Sequence, residues 1–264
     1  MTPIERRQAL GHKAMNLYQV QMYQLEQSSE LVTFEPDEIP TDYDYQTKIY
    51  VKNENLLYRL HQFGSQVKVG CMNFADPLTP GGNFMLGVNA QEEAICRNSF
   101  LYPELKKYRR TYYQQNKLYP NDFFYSPALI YANQVKVIRD EPEDRIVMGR
   151  LVDFVTIAAP NVTAMKAAKI NSILVEFTPT WKIKFYGPYA CLKTMRLLTW
   201  CWGLLVAGYL ATILKWWRMP LNKFWLAWSF KGPLLRYILI FWKIRWPSKP
   251  FGRQFYSAKG VLWD

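Results

Sequence analysis

The sequence predicts an α/β fold with a mixed or parallel central sheet covered on both faces. Runs of alternating hydrophobicity take turns with runs of helical periodicity through the first 168 residues. Half of all residues are hydrophobic, enough for a sizeable core. One strand candidate, Gln66 to Asn73, ends in a glycine-rich loop, and ligands in such folds collect at the carboxyl ends of strands.

Arg6 to Gln27 carries helical spacing through Leu10, Ala14, Leu17 and Val20. Leu31 to Phe34 reads as a short strand, followed by a Pro/Asp-rich stretch through Asp44. Thr47 to Val51 alternates as a strand does. Asn53-Glu54-Asn55 offers caps for a helix over Leu56 to Phe63, which Gly64 ends. After the glycine-rich loop, Gln91 to Leu101 and Glu104 to Lys117 read as helices. Phe123 to Ile138 and Val152 to Ala158 supply further strands.

Composition narrows the chemistry. The four Cys (Cys71, Cys96, Cys191, Cys201) and two His (His12, His61) show no metal-ligand spacing, so no zinc site, disulfide framework or cofactor is expected. The start of the chain has no apolar leader segment, and a reducing cytoplasm is the expected location. The net charge of +12 looks like a nucleic-acid signal until it is located. Up to Ala168 there are 18 Lys+Arg against 19 Asp+Glu; from Lys169 onward there are 15 against 2. All ten Trp lie after position 180. The chain therefore divides into residues 1–168, a compact α/β domain, and 169–264, a basic Trp-rich tail. No specific nucleic-acid partner is expected, because the tail's Lys and Arg are interleaved with Trp and Leu runs.

The candidate site runs from Asn73 to Tyr102. Gly81 and Gly82 let the backbone adopt positive φ and approach a ligand closely, and free N–H groups there could cradle a phosphate. Gln91, Glu92 and Glu93 then open a helix, whose positive end also favours an anion. A Pro-Gly-Gly turn alone is commonly just a turn, and a Glu pair at a helix start commonly just complements the dipole. Together, after a buried strand, they point to chemistry. One carboxyl would hold a sugar hydroxyl; the other, kept from bulk water beside a phosphate, would carry a proton for a glycosidic oxygen.

These residues resemble the microbial-type poly(ADP-ribose) glycohydrolases. That family's signature is a Gly-Gly-Gly run, a short spacer and Gln-Glu-Glu. Here it stands as Gly81-Gly82-Asn83, seven residues, then Gln91-Glu92-Glu93. The flanks Asn73-Phe-Ala75, Arg97 to Pro103, Tyr125-Ser-Pro127 and Ala158-Ala-Pro-Asn161 are similar too. The resemblance implies a macrodomain-like three-layer α/β/α fold with a mixed central sheet, and hydrolysis of ribose–ribose bonds in ADP-ribose polymers on modified proteins. It implies that Glu93 protonates the leaving oxygen and Glu92 holds a hydroxyl of the reacting ribose. Asn73 would orient that ribose, Gly81 and Gly82 would lie against the diphosphate, and Asn83 and Gln91 complete the ligand-binding set. Asn83 replaces a glycine; its tolerance of left-handed backbone would let it fit there. The alternative is a macrodomain that binds ADP-ribose without cleaving it.

The tail does not continue this pattern. The family closes its diphosphate site with a second loop that resembles Leu-Gly-Ala-(Phe/Trp)-Gly-Cys-Gly-Val-Phe-Gly-Asn-Asp-Pro, and no such run follows Lys169. Back-translation of Thr199 to Leu214, read so that each new codon takes one base from a residue and two from the next, permits Leu-Val-Leu-Gly-Ala-Phe-Gly-Cys-Gly-Val-Phe-Gly-Asn-Asp-Pro. Residues 169–264 therefore read as an out-of-frame tail, with the C-terminal part of the fold missing or replaced. Taken literally, residues 197–214 are 18 uncharged residues, a minimal membrane-spanning candidate that would make the protein membrane-associated.

Overall fold

A computed structural model of the chain describes residues 1–33, 48–52, 55–140, 146–170, 199–205 and 237–243. Helix α1 (Pro3–Gln21) starts earlier than its apolar spacing suggested. Thr2 and Glu5 form a capping box: the Glu5 N–H donates to the Thr2 hydroxyl at 3.2 Å and the Thr2 N–H to the Glu5 carboxylate at 2.8 Å. Pro3 occupies the first turn, where its missing N–H costs nothing. A 3-10 turn (Met22–Gln24) leads to strand β1 (Ser28–Val32). Phe34 and the Pro/Asp-rich stretch lie outside the described residues.

Strand β2 (Lys48–Lys52) precedes α2 (Leu56–Gln62), which Asn55 caps by accepting the Leu57 and Tyr58 N–H groups at 2.8 and 3.3 Å. Then come β3 (Val69–Ala75), α3 (Gln91–Asn98) and α4 (Leu101–Lys107). The helix expected over Gln91 to Leu101 breaks at Ser99. Ser99 turns extended and bridges Val137, and the Phe100 N–H donates to the Lys136 carbonyl at 2.9 Å. A π-helical turn (Arg109–Tyr113) joins α4 to α5 (Gln114–Leu118), seating Tyr112 and Tyr113 in the core.

Strand β4 (Leu129–Arg139) starts later than Phe123, because Asn121, Asp122, Phe123 and Tyr125 all have positive φ and form a tight turn instead. It is followed by β5 (Ile146–Ala158), α6 (Val162–Ala167), β6 (Thr199–Leu205) and β7 (Tyr237–Lys243). The segment read as a membrane-spanning candidate is a strand over Thr199–Leu205, and residues 206–214 lie outside the described set. Among the described residues, no helix is long and apolar enough to cross a membrane.

The seven strands form one mixed sheet in the order β1-β4-β5-β3-β6-β7-β2. Strand β3 is central and parallel to both neighbours, β5 and β6; the remaining pairs are antiparallel. One face of the sheet presents Cys71, Ile130, Ala132, Val137 and Phe154 to Leu57, Leu60, Ile95, Leu101 and Leu105 from the helices and to Phe100 between α3 and α4. Met72, Val155 and Ile157, which alternate with that set, are also buried, so both faces of the central strands are covered. Two arginines fasten the loop after α2 and the end of α3 to this core. The Arg150 guanidinium donates to the Phe63, Gly64 and Val67 carbonyls after α2, and Arg139 donates to the Arg97 carbonyl at 2.8 Å.

Candidate active site

The carboxyl end of β3 gathers the residues singled out from the sequence. Asn73, the antepenultimate residue of that strand, is fully buried. Its Nδ2 donates to Thr156 Oγ1 at 3.2 Å, across the register pair Asn73–Thr156, and to Glu92 Oε1 at 3.5 Å. Its Oδ1 is buried with no hydrogen-bond partner among the described residues.

Helix α3 begins at Gln91, as expected, and all eight of its residues are buried. Gln91 locks the helix to the strand. Its Oε1 accepts the Phe74 N–H at 3.0 Å and its Nε2 donates to the Met72 carbonyl at 3.0 Å. The side-chain amide thus takes the place of a strand neighbour on the edge of β3, whose pairing with β6 stops at Met72. Both ends of the Gln91 amide are used within the protein, which places the next two residues.

Those two carboxylates have different surroundings. Glu92 Oε2 accepts the Asp76 N–H at 2.6 Å, and Oε1 accepts the Gly81 N–H at 3.2 Å besides the Asn73 amide. Glu93 Oε1 accepts the Asn83 N–H at 3.2 Å, the one hydrogen bond shown for this carboxylate among the described residues. Glu93 is also the more exposed, at 8% against 3%. Burial pushes the Glu92 carboxyl well above the usual carboxylate range. The Asp76 N–H opposes this, the nearby charges of Glu93 and Asp76 add to it, and the Asn73 amide opposes it more weakly.

The glycine turn is shaped around this pair. Gly81 and Gly82 have φ of +70° and +55°. A β-carbon on Gly82 would stand 2.9 Å from the Glu93 carboxyl carbon, and one on Gly81 would stand 2.9 Å from the Tyr102 ring. The N–H groups expected to be free are not. The Gly81 N–H donates to Glu92, the Gly82 N–H to the Thr79 carbonyl at 3.0 Å, and the Asn83 N–H to Glu93. Asn83 has φ of −107°, open to any L-residue, so its tolerance of left-handed backbone is not called upon; its side chain is exposed.

Several supporting residues carried no sequence signal strong enough to single them out. Thr156 meets Asn73 only because β5 is the parallel neighbour of β3. Asp76 Oδ1 accepts the Leu78 and Thr79 N–H groups at 2.8 and 2.7 Å, an Asx turn that Asp-Pro-Leu-Thr does foreshadow. Asn116 straps two loops: Nδ2 donates to the Pro77 carbonyl at 3.0 Å and Oδ1 accepts the Ser126 N–H at 2.7 Å. The Ala158 N–H, at the end of β5, donates to the Tyr112 hydroxyl at 2.9 Å. Among the described residues, no group of three or more His, Cys, Asp and Glu is placed to hold a metal ion.

A family model described as the microbial-type PARG catalytic domain matches residues 5–140. Among solved structures, the poly(ADP-ribose) glycohydrolase of Thermomonospora curvata is 23% identical over 72% of this chain and 76% of that one, with a TM-score of 0.55. The same Thermomonospora enzyme bound to the inhibitor ADP-HPD is similar at 22% identity over the same shares, with a TM-score of 0.54. Both likenesses show the fold. No curated protein matches the chain.

Proposed function

Since this chain belongs to the family of microbial-type poly(ADP-ribose) glycohydrolase catalytic domains, we propose that it hydrolyses the ribose–ribose glycosidic bond of ADP-ribose polymers on modified proteins, with Glu93 as general acid. The observation that carries the reading is the division of labour between the carboxylates. Glu92 is held by three donors, whereas Glu93 accepts one and is the more exposed. Glu93 gives its proton to the leaving ribose oxygen as the bond from that oxygen to the anomeric carbon breaks. Water then adds to the anomeric carbon and returns a proton to Glu93. Glu92 holds a hydroxyl of the reacting ribose, and the spare Oδ1 of Asn73 accepts another. The diphosphate lies along Gly81, Gly82 and Asn83.

The test is release of ADP-ribose from an ADP-ribosylated protein by the wild-type chain and by Glu93→Gln. The variant is expected to be slower by ~10²–10⁴-fold, the range a positioned acid contributes. Equal release by both proteins would eliminate Glu93 as the acid.

A second reading, supported by the shifted-frame codons of Thr199 to Leu214, is that residues 169–264 are translated out of frame. Strand β6 runs parallel to β3, and their register ends with Trp202 opposite Met72. In the shifted frame, the codons from Thr199 permit Leu-Val-Leu before the glycines begin. In that frame the second diphosphate loop follows directly. The nucleotide sequence downstream of Ala168 decides this, since stop codons in the shifted frame ahead of that loop would end the idea.

A further inference from the structure

The stretch between the Gly81–Gly82 turn and α3 is held by its carbonyls. Gln8 Nε2 donates to the Leu86 carbonyl at 3.3 Å, and Arg7 Nε donates to the Gly87 carbonyl at 2.6 Å. Arg97, fully buried, donates to the Val88 carbonyl through one guanidinium nitrogen and to Asn89 Oδ1 at 3.1 Å through the other. Three consecutive carbonyls are thus taken by side chains from two helices, α1 and α3, that lie far apart in sequence. The stretch is also closed on itself. The Leu86 and Val88 N–H groups donate to the Asn83 carbonyl at 3.0 and 3.4 Å, and the Gly87 N–H donates to the Phe84 carbonyl at 3.1 Å.

Helix α1 is pressed onto this stretch. Gly87 has φ of +79°, and a β-carbon there would stand 2.7 Å from the Ile4 carbonyl oxygen and 3.1 Å from Gln8 Cγ. One turn further along α1, a β-carbon on Gly11 would stand 3.3 Å from Met85 Sδ. The chain of contacts leads to the acid. Arg7 holds Gly87, the Gly87–Val88 turn closes on Asn83, and the Asn83 N–H donates to Glu93 Oε1.

We infer that Arg7 is a positioning residue for Glu93, acting through the Gly87 carbonyl and the Asn83 turn to fix the carboxylate where it delivers its proton. The inference rests on the proposed role of Glu93. A guanidinium on a carbonyl is a charge-assisted bond, worth more than a neutral one, and here it restrains a glycine with little intrinsic stiffness. Arg7 itself touches no ligand, but its loss frees the Asn83 turn that holds Glu93 and borders the diphosphate. The effect therefore falls on kcat, with a smaller rise in KM, whereas a purely stabilising residue would move the melting temperature and leave kcat of the folded protein alone.

The full chain is compared with Arg7→Met, Arg7→Lys, Gln8→Ala and Lys13→Ala, the last an exposed residue on the same helix. Amide exchange over residues 83–88 and the kinetics of ADP-ribose release are measured for each at a temperature where all are folded. Arg7→Met is expected to speed exchange in this stretch by about tenfold and to lower kcat by about tenfold. Arg7→Lys recovers part of both, Gln8→Ala shows a smaller effect, and Lys13→Ala matches wild type. Exchange in Arg7→Met no faster than in Lys13→Ala overturns the inference, as does faster exchange with kcat intact. Should Arg7→Met fail to fold, Arg7→Lys and Gln8→Ala are judged by the same two criteria. The exchange readout does not require turnover, so a wild-type chain that releases no ADP-ribose counts against the proposed function and leaves the mechanical link from Arg7 to the Asn83 turn separately measurable.

Discussion

Gly82 and Glu93 are packed so closely that a β-carbon on the glycine would stand 2.9 Å from the carboxyl carbon of the glutamate. The glycine is needed twice over, for its φ of +55° and for the space it leaves to the carboxylate. Gly82→Ala meets both constraints at once. The positive φ alone costs about 1–2 kcal/mol, and the new methyl must push Glu93 off its bond with the Asn83 N–H. The variant is expected to melt several degrees lower and to release ADP-ribose at least ~10-fold more slowly. Thermal melts together with release assays check this; a variant as active as wild type would show that Glu93 need not stay where it lies.

Glu92 makes a pH prediction. Its proton is held more tightly in the fold than in the unfolded chain, because burial disfavours the carboxylate. The stabilisation is therefore complete below the ordinary carboxylate range, about pH 4.3, and is lost as pH rises toward the raised value. Glu92→Gln removes the titration. The melting temperature of wild type relative to this variant is expected to fall as pH rises above about 4.3. Parallel melting curves above that pH would contradict the account.

Gln91 predicts a loss of stability. Gln91→Leu leaves the Phe74 N–H and the Met72 carbonyl without the amide that bridges them. Each orphaned buried group costs about 1–3 kcal/mol. Denaturant unfolding is expected to show a loss of about 2–5 kcal/mol. A change below 0.5 kcal/mol would mean that the strand edge is satisfied in some other way.

Asn116 ties the Pro77 turn to Ser126, and through them the Asp76 N–H to Glu92. Asn116→Leu fills similar volume but breaks both bonds. A stability loss of about 2 kcal/mol is expected, with weaker ADP-ribose binding because the Asp76 turn loosens. Calorimetric titration with ADP-ribose measures the binding, and an affinity equal to wild type would confine Asn116 to a structural role.

How much of this was legible beforehand depended on whether the signal was local. The cap at Asn55, the start of α3 at Gln91 and the glycine turn all rest on residues within one or two turns of each other, and they read correctly from the chain. The late start of β4 did not, because Asn121 to Tyr125 hold positive φ in residues other than glycine, a choice stabilised by packing and by loop bonds such as Phe123 O with the Asn161 N–H. The break at Ser99 was equally hidden: Ser99 leaves the helix in order to bridge Val137 on β4.

The sequence by itself determined the class of this protein and pointed to one segment for its chemistry, since glycines, a Gln-Glu-Glu triplet and a preceding strand are neighbours along the chain and their spacing carries the meaning. It could not assign the duties within that triplet. Only the tertiary structure made Gln91 the peg between α3 and β3, engaged Glu92 with donors from Asn73, Asp76 and Gly81, left Glu93 less encumbered, and brought Arg7 of the first helix to the Gly87 carbonyl. Those outcomes depend on which strand edge is exposed and which buried carbonyl lies within reach. Both are settled by packing between segments distant in sequence.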